Sequence, residues 1–122
     1  MPHAFFQPSE DAVPPEQVRF EQVTAQPWGD GRRVRVHFSL TPFQKTPNIT
    51  LSVIDQIEDE VARAAIIEAI DIEQSFTLHI RKFPVGGEYR LEISVDYPEI
   101  GEVDHRTVSF ELPNESTQPS AG

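Results

Sequence analysis

Histidines and clustered carboxylates are the residues of this 122-residue chain whose types could do chemistry. His37 and His79 each take a polar position within an alternating apolar run. If their strands pair, the two imidazoles become neighbours, and a pair of imidazoles can begin a metal site. No third ligand accompanies them, so both read as surface histidines. His3 lies in a proline-rich start and His105 near the start of the last strand, neither with a partner in the sequence. Asp55, Glu58, Asp59 and Glu60 form one acidic cluster; Asp96, Glu99, Glu102 and Asp104 form another. Calcium takes such oxygen ligands, but neither run has ordered calcium-loop spacing, so both read as solvated turn charge. The chain has no cysteine, which removes disulfides, thiolate metal sites and a cysteine nucleophile. There is no nucleophile elbow and no phosphate-cradling glycine loop; Gly86-Gly87 reads as a turn. The expectation is a chain that is not an enzyme, with no catalytic residue, cofactor or metal.

The elements that carry these residues are strands. Val34, Val36, Phe38 and Leu40 alternate with Arg33, Arg35, His37 and Ser39. Phe76, Leu78 and Ile80 alternate with Thr77, His79 and Arg81, and Tyr89, Leu91, Ile93 and Val95 with Arg90, Glu92, Ser94 and Asp96. Side chains of period two line opposite faces of a half-buried strand. Shorter runs at Val18–Val23, Ile49–Val53 and Val108–Leu112 extend the pattern, with turn residues at Pro27–Gly31, Pro42–Pro47, Gly86-Gly87 and Pro98–Gly101. Residues 60–70 (EVARAAIIEAI) are ambiguous. They read as an edge strand, because the neighbouring strand needs a partner and Ile66-Ile67 is β-prone; the alternative is a short helix with Val61, Ala62, Ala65, Ile66, Ala69 and Ile70 on one face. The pattern predicts an all-β fold, a seven-stranded antiparallel sandwich spanning residues 17–112. Residues 1–16 and 113–122, rich in proline or small polar residues, read as disordered tails, with Phe5-Phe6 as an apolar pair in the first.

Net charge is −10, which disfavours nucleic acid as a partner. No run of 18 apolar residues spans a membrane, and no basic start with an apolar run marks a signal peptide, so a cytoplasmic location is expected.

Gly87-Glu88-Tyr89-Arg90-Leu91 resembles the tyrosine corner of the immunoglobulin-like superfamily. The resemblance implies that Tyr89 bonds back to the preceding loop and that Leu91 stands where antibody domains carry a cysteine. Trp28 falls in a turn rather than on the third strand, so the chain looks closer to fibronectin type III modules than to antibody domains. Such modules mostly bind proteins or space other domains, so the resemblance implies a non-catalytic interaction module whose partner is another protein or a second copy.

Strand parity locates candidate surfaces. Arg19, Arg33, Arg35, His37, His79 and Arg81 fall outward on one sheet, where they would make a basic face; Glu92, Asp96 and Glu111 fall outward on the other. Ile54 falls outward beside residues 60–70, and Ile66 or Ile67 must join it, so an aliphatic patch on the strand pair formed by the Ile49–Ile54 run (C) and residues 60–70 (C′) is the expected interface, with self-association as one use. A carbohydrate- or calcium-binding accessory domain is the alternative, with Trp28, Phe43 and Tyr97 as the aromatics near loops, and a structural spacer is the remaining one.

Overall fold

A computed structural model describes residues 8–29, 31–81 and 86–112. A short 3-10 turn, Pro15–Gln17, precedes seven strands: β1 Phe20–Pro27, β2 Arg33–Leu40, β3 Asn48–Ile54, β4 Glu60–Ile66, β5 Glu73–His79, β6 Gly87–Tyr97 and β7 Gly101–Leu112. They form two antiparallel sheets, ordered β1-β2-β5 and β4-β3-β6-β7. The predicted sandwich is therefore the fold.

The alternation seen in the sequence becomes burial. Val34, Val36, Phe38 and Leu40 from one sheet meet Ile49, Leu51, Val53, Leu91, Ile93 and Val95 from the other in a single core. Each such side chain contributes roughly 1.5–3 kcal/mol relative to leaving it in water. Phe38 meets Phe20 edge-on and stacks on Phe76. With no disulfide in the chain, this layer carries the stability.

Three expectations need correction. Residues 60–70 form strand only to Ile66, and the rest is a turn. The N-terminal tail stops short of residue 16: Val13 bridges Phe43, its N–H reaches the Pro42 carbonyl, and its own carbonyl accepts from Gln44. Prolines there set a packed extended arm rather than a free one. The last strand begins at Gly101, which makes His105 a mid-strand residue. Phe5, Phe6, His3 and residues 113–122 lie outside the described residues.

The two poles of the sandwich differ. One carries loops 41–47 and 67–72 and the β6–β7 turn, and β1 starts there, with Phe20 opposite Leu40. The other carries the β1–β2 and β3–β4 turns, and β7 finishes there, with Leu112 opposite Gly87. Gly87 has φ +123, a backbone state that side chains disfavour. Along one side the sheets are tied: Asp104 accepts from the Phe20 N–H at 2.9 Å, and Arg106 donates to the Phe20 carbonyl at 2.7 Å. No helix among the described residues is long and apolar enough to cross a membrane.

Candidate interaction surface

The turn that follows β4 is locked from several sides. Glu68 sits at φ +55, and its N–H donates to Asn48 Oδ1 at 2.9 Å. The Ala69 N–H reaches the Pro47 carbonyl at 2.8 Å, with the Ala69 side chain buried, and the Leu40 N–H reaches the Ile72 carbonyl at 2.8 Å. With Ala69 as the inward anchor, Ile67, Ile70 and Ile72 are left 71%, 55% and 42% exposed. Single exposed isoleucines are ordinary, but a group of them on one fixed turn marks a contact surface. Glu68, Asp71 and Glu73 interleave with them.

Of the expected C–C′ patch, only Ile67 lies in this surface. Ile66 pairs with Ile49 and packs against the core. Ile54 pairs with Glu60 at the opposite end of the same strand pair, facing outward. The two are therefore not one patch. Register sets the distance between them, and the extra residue Val61 in β4, buried beside Ala62, turns Ile66 toward the core. Between them the outer face is polar, with Thr50, Ser52, Ala65 and Ser94 beside the charged Arg63 and Glu92.

The expected basic face divides. Arg33, Arg35 and His79 do sit together: Arg33 is opposite His79, and Arg35 opposite Thr77. Arg33 lies over the Trp28 ring at 3.9 Å, and Trp28 is 37% exposed. His37, however, faces Ser75 four positions away, and it is bound by Ser75 at 2.8 Å and by Glu73 at 2.9 Å. His37 and His79 are thus at opposite ends of the β2–β5 pair and cannot share a metal. Arg19 precedes β1 and turns back onto the Glu16 and Val18 carbonyls. Arg81 donates to the Glu60 carbonyl of the other sheet. The face is cationic at one pole and carries Glu73 at the other.

On the outer face of the four-stranded sheet a charge chain runs from Glu58 through Arg90 and Glu92 to His105. Glu58 takes both terminal nitrogens of Arg90, at 2.6 and 3.0 Å. Arg90 Nε donates to Glu92 at 2.5 Å, whose second oxygen meets His105 Nε2 at 2.6 Å. The Arg90 guanidinium holds the Glu58 and Glu92 carboxyls below their ordinary value, and they hold Arg90 above its own. Glu60 is lowered too, mainly by the Ser52 hydroxyl, and Glu99 by Lys45. A cavity of about 370 Å³ opens beside Ile54, Glu58, Glu88 and Arg90, but the guanidinium at its wall is already taken by two carboxylates. The acidic turn clusters disperse onto separate partners, and no group of ligating side chains suited to a metal is found among the described residues.

Two aromatics proposed from loop position are not at the surface: Phe43 and Tyr97 are core residues. Tyr97 is the tie that sequence reasoning missed. Its hydroxyl donates to the Lys45 carbonyl at 2.7 Å, and burial pushes its pKa up to about 12. Tyr89 is buried and stacks on Phe110 at 6.0 Å, and Leu91 is a core residue; the turn that a tyrosine corner would bond includes Pro84 and Val85, outside the described residues.

No protein-family model matches the chain, and no curated protein matches it in sequence. Solved structures match in fold. A glycosyl hydrolase family 2 member from Bacteroides cellulosilyticus aligns with TM-score 0.60 and 16% identity over 78% of this chain and 14% of that one. A β-glucuronidase from Ruminococcus gnavus aligns with TM-score 0.54 and 12% identity over 79% and 16%. The FMN-binding β-glucuronidase from Faecalibacterium prausnitzii gives 0.54 and 13% over 77% and 16%. The chain thus spans about one-seventh of the length of these enzymes. The likeness is one of fold: a β-sandwich that recurs as a minor part of much larger chains.

Proposed function

We propose that this chain is a non-catalytic accessory module that works by protein–protein contact at the pole bearing Ile67, Ile70 and Ile72. The observation that carries the reading is the rigid exposure of those side chains, since a turn fixed by backbone hydrogen bonds holds apolar area in water without collapsing it inward. Two features support it. The fold neighbours carry this sandwich as a small part of a longer chain. The strand order, with β4 joined to β3, agrees with the fibronectin type III likeness of the sequence. Photo-crosslinking from position 67 tests it. Defined protein adducts are expected from that position and not from Thr107 on β7, at the opposite edge of the four-stranded sheet, and Ile70→Asp with Ile72→Asp abolishes them. Equal labelling from both positions overturns the reading.

A saccharide-binding role is the second reading. It rests on half-exposed Trp28 beside Arg33 and on the glycosidase neighbours. Trp28 is the chain's one tryptophan, so its fluorescence reports directly on glycan titration, and unchanged emission removes this reading.

A further inference from the structure

Sheet edges invite pairing unless something blunts them. Three of the four edge strands here are blunted by an extra residue that breaks the ladder: Glu21 in β1, Val61 in β4 and Val103 in β7. β1 also ends on Pro27. The fourth edge, β5, pairs with β2 in unbroken register and contains no proline and no lysine.

The backbone polarity of β5 follows from two hydrogen bonds that flank it. The Leu40 N–H reaches the Ile72 carbonyl, and the Ile80 N–H reaches the Arg32 carbonyl. Antiparallel ladders alternate. Residues 72, 74, 76, 78 and 80 therefore turn their backbone groups toward β2, while Glu73, Ser75, Thr77 and His79 turn theirs to the open edge. β4 comes close to the C-terminal end of this edge, where Arg81 bonds the Val61 carbonyl through its N–H and the Glu60 carbonyl through its guanidinium.

The sequence across this edge, Asp71 to Arg81, reads DIEQSFTLHIR. It is self-complementary when laid antiparallel to itself about Phe76. Glu73 then faces the partner's His79, Ser75 faces the partner's Thr77, and Ile72 the partner's Ile80. In this register the residues with open backbone groups meet one another as ladder pairs. The acidic pole of the outer face also meets the cationic pole, since the partner's Arg33 stands beside the partner's His79. Phe76, half-buried at the open side of the core, becomes covered. A slip by one residue would set inward side chains against outward ones.

We propose that the chain docks a second copy of itself through β5, joining the two three-stranded sheets into one continuous sheet about a two-fold axis at Phe76. This rests on the reading of the chain as an interaction module and names one partner of it. Opposite charges directly across a strand pair favour this arrangement, and like charges oppose it.

Sedimentation of the full chain with charge-swap variants tests the dimer. The wild type is expected to dimerise at tens of micromolar or below. Glu73→Lys and His79→Glu each weaken dimerisation at least ~10-fold, and the double variant restores it. Glu73 also contacts His37 in its own chain, so His79→Glu is the cleaner arm. Hydrogen exchange on the wild type gives a readout that needs no variant. The amides of Glu73, Ser75, Thr77 and His79 gain protection as concentration rises, while those of Gln74 and Phe76 are protected at every dilution. A monomer at millimolar concentration, folded variants without effect, or exchange independent of concentration overturns the proposal. Heterologous adducts from position 67 on a strict monomer would sink the dimer and leave the module reading standing; loss of both would sink both.

Discussion

Tyr97 shows how a single side chain closes a loop onto this core. Its ring is buried at the end of β6, and its hydroxyl satisfies the carbonyl of Lys45, 52 residues away in the chain. Tyr97→Phe leaves that carbonyl unpaired, so a loss of ~1–2 kcal/mol is expected in chemical denaturation. The phenol also ties stability to alkaline pH. Its folded pKa is raised from 10.0 to about 12, so the stabilisation is complete below 10 and lost as pH climbs through about 12. Wild type should weaken over that window more than Tyr97→Phe does. At this scale the sequence was legible where alternation decides the outcome, as at Val36, Leu78 and Leu91. It was not legible at Tyr97, because Tyr-Pro beside a turn reads as loop and the bonding partner is remote. Nor was it legible which of Ile66 and Ile67 faces outward, because the extra residue Val61 interrupts the alternation of the strand.

Among the elements, β4 and its following turn were the hardest to read. The alanines of residues 60–70 suit a helix, and neither helix nor strand period is clean there. Tertiary pairing with β3 decides the matter in favour of strand. The turn then ends the strand through Glu68, a residue type that rarely holds a positive φ. Glu68→Gly removes that strain and is expected to raise stability by ~0.5 kcal/mol, while Glu68→Val, β-branched, lowers it by ~1 kcal/mol or more. Thermal melts of the two variants check this, and equal melting temperatures would show that the turn stores no backbone strain. β2 and β6 were plain from their long alternation. The pairing of β5 with β2 was foreseen, but its register was not, and register is what separates His37 from His79.

For the molecule as a whole, acidity and fold act together. Glu58, Glu60, Glu92 and Glu99 all sit below their ordinary value of 4.5 in the folded state. Such groups favour the fold above 4.5 and lose that contribution as pH falls through their lowered values. Stability should therefore decline on acidification below about 4.5, more gently in high salt, because the pairs are at the surface. Denaturant midpoints measured across this range test it, and a flat profile would show the carboxylates to be uncoupled from folding. The overall charge was evident from composition, but its layout was not. A face expected to be basic proved bipolar because Glu73 falls on it and Arg19 and Arg81 do not. One further consequence follows from β1 starting at one pole and β7 finishing at the other. Tension applied between those points would pull along the strand axes, so the rungs of the β1–β2 and β6–β7 ladders would have to shear collectively instead of peeling one by one. That arrangement opposes extension along the strand axes more strongly than separation across them.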